Sequence, residues 1–254
     1  MARVAKQTTT LRRQALIAGA TVVAILSAAF VALWLVIRSR PHDLNGLLLF
    51  LIPFGLLAVA KMAADFSLIY IRGYLGERRV LKELGKLPDD YWVFNDIDIR
   101  VNDDAVQIDH VVVSPYGLWC IETKSHRGTI RGKEREHTWT QIKRSDSGRR
   151  YRKKFYNPIA QNATHCQRLG DYLKQHVGVA PPVKSAVVFT GARLEVDTAT
   201  PVVAPRELRG VIQASDTRPR LEEKELRMIL DALAHHEGPR EESTPPAEGK
   251  QAPC

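Results

Sequence analysis

Hydrophobic residues fall into two regimes that change near residue 72. Before it they form long unbroken runs, and after it they recur at helix or strand spacing among charges. Leu16 to Ile37 carries no charge and is long enough to cross a bilayer as a helix. A signal peptide shares the basic start, but this run exceeds a signal core and a second apolar segment follows. Arg38 to Asp43, with Pro41, is a short polar turn. Leu44 to Ala60 is the second run, with Pro53 and Gly55 inside it, both tolerated where neighbouring helices satisfy the freed backbone. Lys61 can snorkel and let that helix reach about Ala64. The expected element is a two-helix transmembrane hairpin, 16–37 and 44–64, with a buried soluble helix or re-entrant segment as the alternative for the second run.

Past residue 72 the periods shorten. Tyr74 to Leu87 predicts a helix with Val80, Leu81, Leu84 and Leu87 on one stripe, and Glu77 shares that stripe. Leu87-Pro-Asp-Asp ends it, Tyr91 to Phe94 begins a strand, and Asn95 to Asp104 reads as an acidic, turn-rich connection. Gln107 to Val113 and Leu118 to Lys124 are β-branched and aromatic runs around Ser-Pro-Tyr-Gly, which predicts a β-hairpin. Short strands follow at Gly128 to Gly132 and around Trp139, a core or strand-packing residue. Asn157-Pro158 is a helix start, with Asn as cap and Pro at the first helical position. That helix runs to about His176, with Ile159, Ala163, Cys166 and Leu173 inward and Gln161, His165, Arg168 and Tyr172 on a second stripe. Val183 to Thr190 is a core strand, and Pro205 to Gln213 and Leu221 to Ala234 are helices. Residues 237–254 are Pro, Glu, Gly and Ser without apolar periodicity, the composition of a disordered tail.

Charge adds a partner class. A net +9 and a pI near 9.6 favour nucleic acid or an acidic membrane surface. Residues 1–15 are polar and basic, through Arg3, Lys6, Arg12 and Arg13. Arg38 and Arg40 are the only Lys or Arg in the turn, whereas Lys61, Arg72, Arg78 and Arg79 follow the second run. The bias puts both termini, and everything after residue 64, in the cytoplasm of a multi-pass protein of the cell membrane. Three scattered cysteines form neither a disulfide framework nor a zinc set, so a disulfide-stapled secreted domain is excluded. Lys143 to Lys154 is the most basic window. It reads either as a mobile loop over DNA phosphates, through Lys143, Arg144, Arg149, Arg150, Arg152, Lys153 and Lys154 with Tyr151 for stacking, or as a solvated loop touching acidic lipids.

The hairpin carries the chemistry. With the turn centred on Pro115 and Tyr116, cross-strand partners sum to 231, so Asp109 faces Glu122 and Gln107 faces Lys124, all on one face. Two opposed carboxylates repel, and a divalent cation between them turns that penalty into a binding site, with Lys124 beside it. A bulged turn would shift the pairing by one residue and split them. The plain alternative is an amphipathic hairpin with a polar outer face.

An Asp in one strand followed by Glu-x-Lys in the next resembles the PD-(D/E)xK nuclease superfamily. The longer set, Gly76-Glu77, Gln107-Ile108-Asp109-His110, Ile121-Glu122-Thr123-Lys124, Trp139, Asn157-Pro158 and Gln161-Asn162, resembles the nuclease-related domain family, NERD, over about Gly73 to Phe189. The resemblance implies an α/β fold with a restriction-endonuclease-like mixed-sheet core, in the order αβββαβ, as a domain over 73–236. It implies magnesium (or manganese) held by Asp109, Glu122 and the Thr123 carbonyl, with Glu77 on a second ion or a water. Lys124 would position the attacking water or offset charge on the phosphate, Gln107 and Gln161 would support by hydrogen bonding, and the reaction would be hydrolysis of DNA phosphodiesters. Two other classes stay open: a catalytically silent nucleic-acid-binding module at the membrane, and a membrane-bound interaction protein.

Overall fold

The computed structural model describes residues 1–7, 10–39, 43, 48–102, 104–145, 148–179, 181–215 and 220–235. The tail, 237–254, half of the turn between the two apolar runs (40–42) and the start of the second run (44–47) lie outside the described residues. Two helices, α1 (Thr10–Ser39) and α2 (Leu51–Leu84), are long and apolar enough to cross a membrane, and they pack along each other. Their large side chains face outward: Phe30, Trp34, Leu51, Phe54 and Phe66 are all exposed. A soluble core helix would bury such residues.

The reading that broke the second apolar run near Ala64 and began a new helix at Tyr74 is corrected. α2 is one helix of 34 residues, and its last turns carry the expected stripe, with Val80 and Leu84 fully buried and Leu81 partly so. No Pro stands at the junction, and Gly73 alone does not stop the helix, so the hydrogen-bonded ladder continues from the apolar stretch into the domain.

The domain is a mixed eight-stranded sheet between two helical layers. Strands β2 (Trp92–Val101), β3 (Asp104–Ser114) and β4 (Gly117–Lys133) form an antiparallel meander. β5 (Thr138–Arg144) and β6 (Arg150–Tyr156) form a hairpin. α3 (Pro158–Val177) then crosses the sheet so that β7 (Val183–Asp197) lies parallel to β4, with the short β8 (Val202–Val203) beyond it. From the end of α2 the order is αβββαβ, with β5 and β6 interposed. α3 and α5 (Glu223–Ala234) cover one face through Leu169, Leu173, Ile229 and Leu233, over Val111, Leu118 and Cys120. The end of α2 and α4 (Pro205–Ala214) cover the other, over Val112, Trp119 and Ile121.

Three local readings differ. Asn95 to Asp104 is mostly strand, because Ile97, Ile99 and Val101 are buried at period two and strand pairing overrides the turn preference of Asp and Asn. Asp96 and Asn102 answer that conflict by adopting positive φ, 53° and 56°. Residues 3–7, read only as a basic segment, form β1 (Arg3–Gln7), parallel to β2 with Arg3 opposite Trp92. In α3, Ala163 is exposed, and Asn162 takes the inward position. Its amide donates to the carbonyls of Cys120 (2.9 Å) and Ala186 (3.1 Å) and to Ser185 Oγ (2.8 Å), tying α3 to β4 and β7.

Candidate active site

β7 lines one edge of β4 almost throughout. The other edge is shared: β3 pairs with it from Gly117 to Ile121, and β5 only from Thr129 to Arg131. The segment 122–128 therefore faces an opening in the sheet. Its backbone groups must find other partners. Thr123 N–H donates to Asp109 Oδ2 at 2.7 Å, and the Arg127 carbonyl accepts from Gln141 Nε2 at 2.7 Å.

The β3–β4 ladder has the register read from the turn, from Ser114 opposite Gly117 to His110 opposite Ile121. The next pair would be Asp109 and Glu122, and there the ladder stops. The Asp109 side chain replaces a ladder bond with its own contact to Thr123 N–H. On the other side of β3, Asn95 pairs with His110 and Ile97 with Ile108, so Asp96 stands level with Asp109. Asp96, Asp109 and Glu122 thus form a row across three adjacent strands.

Helices complete the site from both layers. Gln161 of α3 accepts from Lys124 Nζ at 2.9 Å, and Lys124 Nζ contacts Glu122 Oε1 at 2.6 Å. His165, one turn beyond Gln161, puts Nδ1 3.3 Å from Glu122 Oε2, out of hydrogen-bond alignment. Glu77 approaches from α2, where Gly76 makes room: a Cβ there would lie 3.1 Å from Thr190 Oγ1 and 3.3 Å from Ser125 Cβ. His110 is fully buried, with Nε2 3.1 Å from Thr123 Oγ1.

Crowding of acids sets the protonation pattern. Burial, then Asp109, Asp96 and Glu122, push Glu77 up to about 8. Burial and Glu122 push Asp109 up to about 7, against the Thr123 N–H bond and Lys124. Burial alone would raise Glu122, but His165 and the Lys124 ammonium hold it below the usual carboxylate range. Burial keeps His110 neutral, near 4.

Of the residues singled out in the sequence, Asp109, Glu122, Lys124, Gln161 and Glu77 gather here, and Thr123 joins through its N–H and hydroxyl. Gln107 does not face Lys124. β3 has left β4 by that level, so Gln107 pairs with Asp98 of β2 and its amide donates to Asp96. Asp96, His110 and His165 were not picked out. Asp96 reaches the site through strand pairing and its charge beside Glu77, and His110, though inside the quoted motif, through its contact with Thr123 Oγ1. His165 carried a signal, its four-residue spacing from Gln161.

Among the described residues no three His, Cys, Asp or Glu form a ready cage for a metal. The donors nevertheless fit a hard divalent cation. They are carboxylates, two of them raised by mutual repulsion and burial, and Glu122 Oε2 is buried without a hydrogen-bond partner. The basic window is not a mobile loop: Lys143 and Arg144 end β5, and Arg150 to Lys154 lie in β6, all five exposed. Trp139 is fully buried and stacked on Phe189 with centroids 6.3 Å apart, so it packs the core.

Comparison with known proteins agrees with this geometry. The family model described as nuclease-related domain matches residues 72–190. An uncharacterized protein of Bacillus anthracis is 34% identical over 109 residues, which is 42% of this chain and 49% of that protein. The chain thus spans about half the length of the curated relative it matches. No solved structure matches.

Proposed function

From the match of residues 72–190 to the nuclease-related domain family, we propose a membrane-anchored, magnesium-dependent nuclease that hydrolyses DNA phosphodiesters. The observation that carries this reading is the meeting of Asp109, Glu122 and Lys124 at the opening between β3 and β5, with Gln161 and Glu77 added from opposite helical layers. Asp109 and Glu122 would hold the cation, with Glu77 and the Thr123 carbonyl beside it; when bound, it supplies Lewis acidity toward the scissile phosphate and a nearby water. Glu77, raised to about 8 by burial and the neighbouring acids, would have to lose its proton to serve beside the ion. Lys124 moves from Glu122 toward the phosphate oxygens, where charge develops, and Gln161 keeps its ammonium aimed. DNA runs along the outward row of the β5–β6 ribbon, Arg150, Arg152 and Lys154, with Arg149 at its turn.

Anchoring by α1 and α2, with both ends on the cytoplasmic side, is part of the same reading. β1 precedes α1 yet pairs with β2 of the domain, which supports the two ends of the helical pair lying on one side. A second reading, a silent nucleic-acid-binding module, is favoured by one observation: Lys124 is already bound to Glu122, which would suit a site that no longer takes a cation. The full chain in detergent, incubated with single- and double-stranded DNA with and without magnesium or manganese, separates the two. Cleavage that needs the metal and disappears in Asp109→Asn supports the enzyme. Binding of DNA without cleavage under every condition supports the module.

A further inference from the structure

A second concavity lies on the far side of the opening in β4. It is a cavity of about 590 Å³, walled by Arg127 and Gly128 of β4, Lys143 of β5, Lys153 of β6, and Ile69 and Arg72 of α2. Gly128 is required there: its φ is 86°, and a Cβ would overlap the Ile142 carbonyl oxygen. Strand pairing decides which cations enter. Lys143 pairs with Tyr151 and Gln141 with Lys153, so these four share one face of the ribbon and line the cavity. Arg150, Arg152 and Lys154 alternate to the other face.

Among the described residues that line the cavity none is acidic. Five cations, Arg72, Arg127, Lys143, Lys153 and, at the end of β5, Arg144, line the cavity; burial and then Lys153, Arg72 and Arg127 lower the Lys143 ammonium. Such a wall calls for a phosphate-like anion. What distinguishes this cavity from a nucleic-acid groove is its fourth wall. Ile69 and Arg72 belong to the helix whose preceding turns expose Met62, Phe66, Leu68, Ile69 and Tyr70. The exposed ion pair of Lys61 and Asp65 marks where an apolar crossing can end; Phe66, Leu68, Ile69 and Tyr70 carry the apolar flank on through the interface, and Arg72, about 10 Å beyond Asp65 along the helix, is within side-chain reach of the headgroups.

We propose that this cavity binds the phosphate-bearing headgroup of an acidic glycerophospholipid, whose acyl chains lie on the exposed apolar flank of α2 below Ile69. The proposal rests on the reading that α2 crosses the membrane. The bound lipid would fix the domain against the bilayer and leave the outer face of the ribbon for DNA.

The test uses the full chain, reconstituted in vesicles and then purified in mild detergent with phosphatidylglycerol or phosphatidylcholine, and counts retained lipid by native mass spectrometry. The wild type is expected to retain phosphatidylglycerol selectively. R127Q/K153Q should lose that preference by about thirtyfold, as expected for two juxtamembrane cations. R150Q/R152Q, the same charge change on the other face, should keep it and shows that folding survives such a change. Equal retention of both lipids by the wild type, unchanged selectivity in R127Q/K153Q, or equal loss in both variants overturns the proposal. So does displacement of the lipid by equimolar glycerol phosphate, which would mean a free-phosphate site, or loss of DNA binding with lipid selectivity intact in R127Q/K153Q. Alkaline extraction of the vesicles tests the membrane-crossing premise separately, since a peripheral chain would be released whatever lipid it retains.

Discussion

β4 carries two sites of opposite charge, one on each side of its irregularity between Lys124 and Arg127. Before it, Glu122 joins Asp96, Asp109 and Glu77; after it, Arg127 joins Arg72, Lys143 and Lys153. Both exist because neither β3 nor β5 covers residues 122–128. They differ in how the like charges are tolerated. The acids are crowded and desolvated, so two of them are raised toward neutral pH, whereas the cations stand around an open cavity, where burial and its neighbours lower Lys143. A desolvated cluster is suited to binding an ion tightly and acting on bonds, and an open one to holding a charged surface.

The comparison breaks most sharply if the acids can be removed without loss of chemistry. Asp109→Asn and Glu122→Gln should each lower cleavage by roughly 10²–10³-fold or more, in line with loss of one preorganised electrostatic group. DNA affinity should stay within a few-fold, as measured by a binding titration beside the cleavage assay. The next effect is the pH dependence of magnesium binding. Protons on Asp109 (about 7) and Glu77 (about 8) compete with the ion, so affinity should rise about tenfold or more from pH 6 to pH 8. Calorimetry in buffers of different ionisation heat should detect proton release on binding, and Glu77→Gln should reduce it. A pH-independent affinity would show that these carboxyls do not meet the ion.

Gln161→Ala tests the support rather than the ligands. Its Oε1 holds Lys124 Nζ from α3, so its loss should lower cleavage by about tenfold and leave DNA affinity unchanged. Gln161→Glu, which still accepts a hydrogen bond, should recover part of the rate. No recovery would reduce Gln161 to a packing role.

The sequence revealed the acidic side better than the basic one, for a physical reason. Asp109 and Glu122 are linked by a short turn, and period-two alternation with a symmetric turn is enough to set their register. Asp96 and His165 depend on pairing between β2 and β3 and on where α3 crosses the sheet, which local pattern does not contain. Gln107 was misassigned by extending the hairpin ladder past His110, where β3 stops pairing with β4 and keeps only β2. On the basic side, composition located the window but not its halves. Lys143 to Lys154 looks uniformly solvated until the pairing of Lys143 with Tyr151 divides it into an inward and an outward row. The αβββαβ order was legible because each element keeps its own period. The continuity of α2 was not, because the apolar pattern gives way to an amphipathic one around Gly73, which reads as a break although the helix runs through it.

The smallest expected effect separates the two rows of cations from each other. A cation that contacts a DNA phosphate releases a counterion on binding, so removing it lowers the slope of log affinity against log salt by about one. Arg150, Arg152 and Lys154 point away from the lipid cavity and are exposed, so each change to Gln should lower that slope by about one. Over a fourfold change in salt that is only about threefold in affinity per residue. Lys153, one residue along the same strand, faces the cavity, and Lys153→Gln should leave the slope where it was. The contrast lies within a single strand of constant charge density, so general electrostatics would make the four changes equal. Salt titrations with one DNA of fixed length measure it directly. Four equal slopes would mean that DNA reads the ribbon as a uniformly charged surface, and the division of labour between its faces would be lost.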